Sequence, residues 1–320
     1  MKIAFHTNEI CIRGSSVAIY DYAHYNELIL KNQSIIIVPK KGFSKSYDKA
    51  IEKFKKRFNI YIYSELDEME HILLSEKCNI LYCIKYGKND NVFSRRIKTV
   101  VHCVFDMSDP HGDVYAGVSE TLAKKFKQSV FVPHMIGLEP DLKKRNLRDE
   151  LKIPKDALVY GRYGGKDTFN LVFCFEAIKN IVNSYPNIFF IFINTPRFIV
   201  HKQVIYLNEI VSNEDKNKFI NTCDAFIECG TMGHTFGLAL GEFSVNNKPI
   251  IAISRDRNLM NNAHFEILKD KAIYFDYRQQ FENILINFDK EKYESQDNNC
   301  YKDYTPEKVM RIFEKVFIED

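Results

Sequence analysis

Two hydrophobic periods alternate along this chain, and that alternation constrains the fold more than any other feature. Short runs rich in β-branched and aromatic residues are separated by stretches with helical spacing. In the first half the runs read KIAF, SIIIVP, NIYIY, NILYCI, TVVHCVF, VYAGVS and VFVPH. Between them, Val17, Tyr20, Tyr25, Leu28 and Ile29 recur at helical intervals, as do Ala50, Ile51, Phe54 and Phe58. Strands that alternate with helices predict a parallel sheet covered on both faces. A second series follows in ALVYGRYGG, IFFIFIN, VIYLNEIV, AFIECG, PIIAIS and AIYFDY. Residues 139–157 are charged, carry two prolines, and read as a linker with a short helix. The chain is therefore expected to hold two doubly wound α/β units in tandem. Their spans are set at residues 1–145 and 146–295, with a C-terminal helix over 296–320. That helix has a legible start, with Thr305 as cap and Pro306 in the first turn. Val309, Ile312, Phe313, Val316 and Phe317 form one apolar stripe, expected to pack back on the first unit.

Length and composition agree with this. At 320 residues the chain has room for two domains, and 45% hydrophobic residues suffice for two cores. A formal charge of +3, spread over the chain, gives no basis for a nucleic-acid surface. The eight cysteines form no Cys-x-x-Cys pair, and several lie in apolar runs, so a reducing, cytoplasmic compartment is expected. The N-terminal segment has no signal-peptide pattern, and no apolar run is long enough to span a membrane. The basic segment KFKKRF at residues 53–58 offers a face for peripheral membrane contact, with a solvated helix as the other reading.

Several kinds of chemistry are missing. No Gly-x-Gly, Walker loop or Asp-x-Asp occurs, and His and Cys spacings make no zinc site, so no metal is expected. What remains are glycine-rich strand-to-helix turns. The stretch GTMGHTFGLALGEF follows the run DAFIE and carries Gly230, Gly233 and Gly237 into a helix that contains Glu242. Such a turn leaves helix N–H groups free for an anion, and glycine lets a ligand approach the backbone. VYGRYGGKDTFN adds Gly161, Gly164 and Gly165 with the cations Arg162 and Lys166. CIRGSSVAIY adds Gly14, Ser15 and Ser16 before a helix. Each can also be read without a ligand, the first and third as ordinary turns and the second as a solvated charged loop. Together they suggest a phosphate-bearing ligand.

With these motifs in view, the chain resembles the retaining nucleotide-sugar glycosyltransferases of the two-domain GT-B type, family 4 in particular. GRYGG stands where that family begins its phosphate site, HTFGLALGEF matches its last glycine turn, and NNKPIIAIS follows where it has GKPVI. The resemblance implies two Rossmann-like domains facing a central cleft. It implies transfer of a sugar from a UDP- or GDP-sugar to an acceptor hydroxyl, without a metal or permanently bound cofactor and with retention of configuration. The acceptor would be a sugar, a glycan or a lipid-linked hydroxyl. By residue, it places Glu242 on the donor ribose, and Thr235, Phe236, Gly237 and Leu238 at the diphosphate. Arg162, and more loosely Lys166, serve as phosphate cations. Ile210 and Val211 meet the base, Gly14, Ser15 and Ser16 lie near the donor phosphates and acceptor, and His102 contacts the transferred sugar. His234 departs from the pattern, standing where the family has a Glu that holds sugar hydroxyls. A neutral imidazole donates one hydrogen bond and accepts one, and cannot supply a carboxylate's acceptors. Three readings of it stay open: shared sugar contact, a bystander beside backbone groups, or a weakened enzyme that only binds nucleotide sugar. A nucleotide-sugar epimerase on the same fold is the alternative activity, although no carboxylate pair stronger than Asp106 with Asp109 offers itself.

Overall fold

A computed structural model describes residues 1–254 and 259–319. The chain divides into two compact units, Met1–Gly137 with Asp303–Asp320, and Leu138–Lys302. Both are built on a six-stranded parallel sheet, as the alternating periods predict.

The first unit runs β1 (Lys2–His6), α1 (Gly14–Leu28), β2 (Gln33–Pro39), α2 (Lys40–Phe43), α3 (Asp48–Lys55), β3 (Ile60–Tyr63), α4 (Leu66–Ser75), β4 (Ile80–Lys85), β5 (Lys98–Cys103), β6 (Val114–Gly117) and α5 (Glu120–Lys125). Its strand order is β3-β2-β1-β4-β5-β6. All six residues of β4 are buried, as expected of a central strand covered on both faces. The run VFVPH, expected as a strand, pairs only at Phe131 with Gly117. Pro133 has no N–H to carry the ladder further.

The second unit runs β7 (Leu158–Arg162), α6 (Val172–Ser184), β8 (Ile188–Ile193), β9 (Val204–Leu207), α7 (Asn213–Thr222), β10 (Ala225–Glu228), β11 (Gly233–His234), α8 (Leu238–Val245), β12 (Ile250–Ile253), β13 (Asn261–Asn262), α9 (Ala263–Leu268), β14 (Ile273–Phe275), α10 (Arg278–Ile286) and α11 (Lys290–Glu294). Its sheet is ordered β14-β12-β10-β7-β8-β9, and β11 pairs separately with β13. The short helix expected within residues 139–157 does not form. One turn closes from Leu151 to Leu147, then Lys152 at φ 54° and Pro154 end it.

The tail returns to the first unit as α12 (Pro306–Phe313). The Thr305 hydroxyl accepts from the Lys308 N–H, and Pro306 opens the helix. Val309, Met310, Phe313 and Phe317 lie in one apolar cluster with Phe5, Tyr22 and Tyr82, and the Phe313 ring stacks on Tyr22 at 5.3 Å. No helix among the described residues is long and apolar enough to cross a membrane.

Candidate functional site

In an open α/β sheet the strand order reverses at one place, and the loops leaving the carboxyl ends there diverge to leave a crevice. In the second unit that place lies between β7 and β10, which pair in register at Tyr160 with Ala225 and Gly161 with Phe226. The two strands end on opposite charges, Arg162 and Glu228.

Arg162 is 1% exposed. The turn that follows folds over it. Its Nη1 donates to Thr195 Oγ1 at 2.7 Å, and its Nη2 donates to the Gly165 carbonyl at 3.0 Å and to Thr168 Oγ1. Its Nε has no hydrogen-bond partner among the described residues. Burial lowers its pKa, with Glu228 and Cys229 opposing the shift. Lys166 is exposed on the same turn.

Glu228 is 2% exposed. The chain beyond it turns through Gly233 at φ 62°, where a Cβ would stand 1.8 Å from the Asn261 carbonyl oxygen. Only glycine fits that close pairing of β11 with β13. The next residue, His234, is thereby set with Nε2 3.2 Å from Glu228 Oε2, within ion-pair range but out of line for a hydrogen bond. Burial would raise the Glu228 pKa, but His234 and Arg162 outweigh it and hold the carboxyl below its ordinary value. Behind His234 stands His264, fully buried, its ring edge-on at 5.3 Å. Burial pushes the His264 pKa down to about 3, so it is neutral. Neither of its ring nitrogens has a hydrogen-bond partner among the described residues.

The chain then enters α8 through Gly237, at φ 91° and ψ 64°. No side chain caps this helix and its first turn holds no acid, so its leading N–H groups remain available. The approach is rigid. Thr235 and Phe236 are buried, and Tyr301 donates its hydroxyl to the Phe236 carbonyl at 2.8 Å. Leu238 is half-buried as the first helical residue. One turn on, Glu242 is 6% exposed. Its Oε2 accepts from the Tyr163 hydroxyl at 2.5 Å and its Oε1 from Lys216 Nζ, which α7 supplies. Burial and that carboxylate drive the Tyr163 phenol well above its ordinary pKa. Each carboxylate oxygen keeps a lone pair beyond these bonds. Ile210 and Val211 lie half-buried in the loop leading to α7.

Unit 2 thus gathers Arg162, His234, the α8 start and Glu242 around one sheet reversal. Glu228, Lys216, Tyr163 and His264 are additions that sequence reasoning missed. A carboxylate closing the run DAFIE just before a glycine was a visible signal for Glu228. The other three meet the site only through tertiary packing. The remaining expected residues belong to unit 1. Gly14 and Ser15 open α1, while Ser16 Oγ accepts from the Cys11 N–H at 3.0 Å and holds the 9–11 loop. His102 is fully buried. Its Nε2 donates to the Val132 carbonyl at 2.7 Å, so Nδ1 accepts from the Tyr82 hydroxyl at 2.6 Å. As placed, His102 spends both ring nitrogens on the unit 1 core. Among the described residues, no three His, Cys, Asp or Glu side chains are grouped to hold a metal ion.

No family model and no curated protein matches the sequence. Solved structures do match. Anabaena HepE in complex with UDP-glucose is 12% identical, with a TM-score of 0.75 over 98% of this chain and 99% of that one. A glycosyltransferase of Rickettsia africae is 10% identical, with a TM-score of 0.72 over 100% and 99% of the two chains. WaaG, a glycosyltransferase involved in lipopolysaccharide biosynthesis, is 9% identical, with a TM-score of 0.64 over 98% and 99%. The likeness is one of fold. The two parallel six-stranded sheets and their helices are those of the GT-B architecture.

Proposed function

We propose that the chain is a glycosyltransferase that uses a UDP- or GDP-sugar and passes the sugar to an acceptor hydroxyl on a sugar, glycan or lipid-linked molecule. The observation that carries this reading is the reversal between β7 and β10. There the sheet gathers a buried arginine, an uncapped helix start and a glutamate with lone pairs to spare, groups of the kind that bind a nucleoside diphosphate. Unit 2 is taken as the donor side and unit 1 as the acceptor side. UDP-glucose bound to HepE, on a closely similar fold, supports the choice of ligand class.

In this reading the α8 amides receive the diphosphate, the buried Arg162 acts on it through its charge alone because both Nη atoms are spent on neighbouring groups, and Glu242 accepts from the ribose hydroxyls. The bond between the anomeric carbon and the diphosphate oxygen breaks. Negative charge grows on that oxygen, where Arg162 and the positive end of α8 lower its energy without a metal. The acceptor oxygen bonds to the anomeric carbon on the face the diphosphate leaves, and its proton passes to the departing diphosphate. Configuration is thereby retained, and no side chain has to act as nucleophile. Lys166 supplies a second cation to the phosphates. Ile210 and Val211 meet the base, and Gly14, Ser15 and Ser16 are the unit 1 residues that the resemblance assigns to the phosphates and acceptor. His102 acts on the transferred sugar only indirectly, through the strand it holds.

The test is a thermal-shift screen of UDP, GDP and their sugars, followed by turnover with acceptors. A bound nucleoside diphosphate raises the melting temperature. Glu242→Ala is expected to abolish the shift. Conversion of donor to an isomer without acceptor would replace transfer with epimerisation, and absence of any nucleotide binding would end the proposal.

A further inference from the structure

We propose that Glu228 is a positioning residue for His234: it claims the Nε2 side of the imidazole, so that Nδ1 accepts a hydrogen bond from a hydroxyl of the donor sugar. This rests on the function proposed above, and it assigns a role to a carboxylate that the function has not used.

Glu228 closes β10 at the sheet reversal, 2% exposed, and pairs with His234. A carboxylate buried there is costly unless a cation or donor answers it. His234 answers it from a rigid seat, because its backbone is paired with Asn262 and follows a left-handed glycine. The His234 side chain keeps 20% of its surface exposed against 3% for Glu228, so the pair is buried at the acid and open at the imidazole. The negative charge of Glu228, 3.2 Å from Nε2, favours the tautomer that carries its proton on that nitrogen, which makes Nδ1 the acceptor. The carboxylate's acceptor character reaches a ligand through the ring, and the second partner of a histidine fixes its tautomer in the same way at metal sites. His264 stands edge-on behind the ring and brings no competing charge.

Two readouts test this separately. The first needs no ligand. Nitrogen-15 NMR of the histidine rings should show His234 of the free wild-type protein protonated at Nε2, and Glu228→Gln should lose that preference. A wild-type His234 protonated only at Nδ1 overturns the proposal whatever the protein binds. The second titrates UDP-glucose and UDP by calorimetry. Glu228→Gln should weaken UDP-glucose about tenfold, the size of one charge-assisted hydrogen bond, and leave UDP unchanged. His234→Gln should cost the same, and the double variant no more. Equal losses for UDP and UDP-glucose, or losses that add, refute the pairing. The expected tautomer in a protein that binds neither nucleotide keeps the Glu228–His234 pair and removes the transferase reading. In His234→Glu, two carboxylates would face each other at Glu228. That variant should unfold at lower temperature and recover in combination with Glu228→Gln.

Discussion

Replacing Lys216 with methionine tests whether Glu242 is held as a charged group. The lysine and glutamate side chains are 11% and 8% exposed. Methionine preserves the apolar stem but leaves the carboxylate with the Tyr163 hydroxyl as its only partner among the described residues. Removing one member of a buried pair costs about 3–5 kcal/mol, because the survivor stays desolvated. The retained Tyr163 bond places the expectation near the lower end, about 3 kcal/mol. With a urea slope of about 2 kcal/mol per molar, the unit 2 midpoint should fall by about 1.5 M. The chain has no Trp and 18 Tyr, so far-UV circular dichroism at neutral pH is the natural probe. Adding Glu242→Gln should restore most of the loss, because no buried charge then goes unanswered, while nucleotide binding stays lost. That separates the stability of the site from its use. If Lys216→Met costs under about 1 kcal/mol, or if the double variant is no more stable than the single, Glu242 is not a buried charge that depends on Lys216.

Two further expectations concern unit 1. His6 and His102 are both fully buried, and burial lowers each pKa to about 4. Their folded values lie below the unfolded value of 6.5, so the neutral forms contribute stability that is complete above pH 6.5 and lost as pH falls toward 4. Each contributes about 3 kcal/mol at most. Urea midpoints should decline from pH 7 to pH 4.5, and a flat profile would refute the burial of these rings. Phe313→Ala removes a fully buried ring that stacks on Tyr22 and meets Tyr82 at 5.4 Å. It should cost about 3–5 kcal/mol and lower the melting temperature of unit 1. A loss under about 1 kcal/mol would mean that the C-terminal helix does not complete this core.

What the sequence made legible follows a physical division. The sheets were legible because burial on both faces leaves a local mark: IFFIFI at 188–193 has no polar position at all. The C-terminal helix was legible because its cap, proline and stripe lie within residues 305–317. The α8 turn was legible for the same reason, since Gly233 and Gly237 are required by backbone angles that no neighbour can relax. The failures are also local in origin. Pro133 and Pro154 stopped a strand and a helix whose flanking residues favoured them. The contents of the site were harder, because they depend on which strand ends the topology brings together. Glu228 and Arg162 are far apart in sequence and adjacent only because β10 returns beside β7. His102 shows the converse. A histidine at a strand end reads as functional until the fold closes Tyr82, Val132 and Phe317 around it. His234 read alone was a missing carboxylate. Beside Glu228, which closes the strand before the turn, it becomes half of a pair.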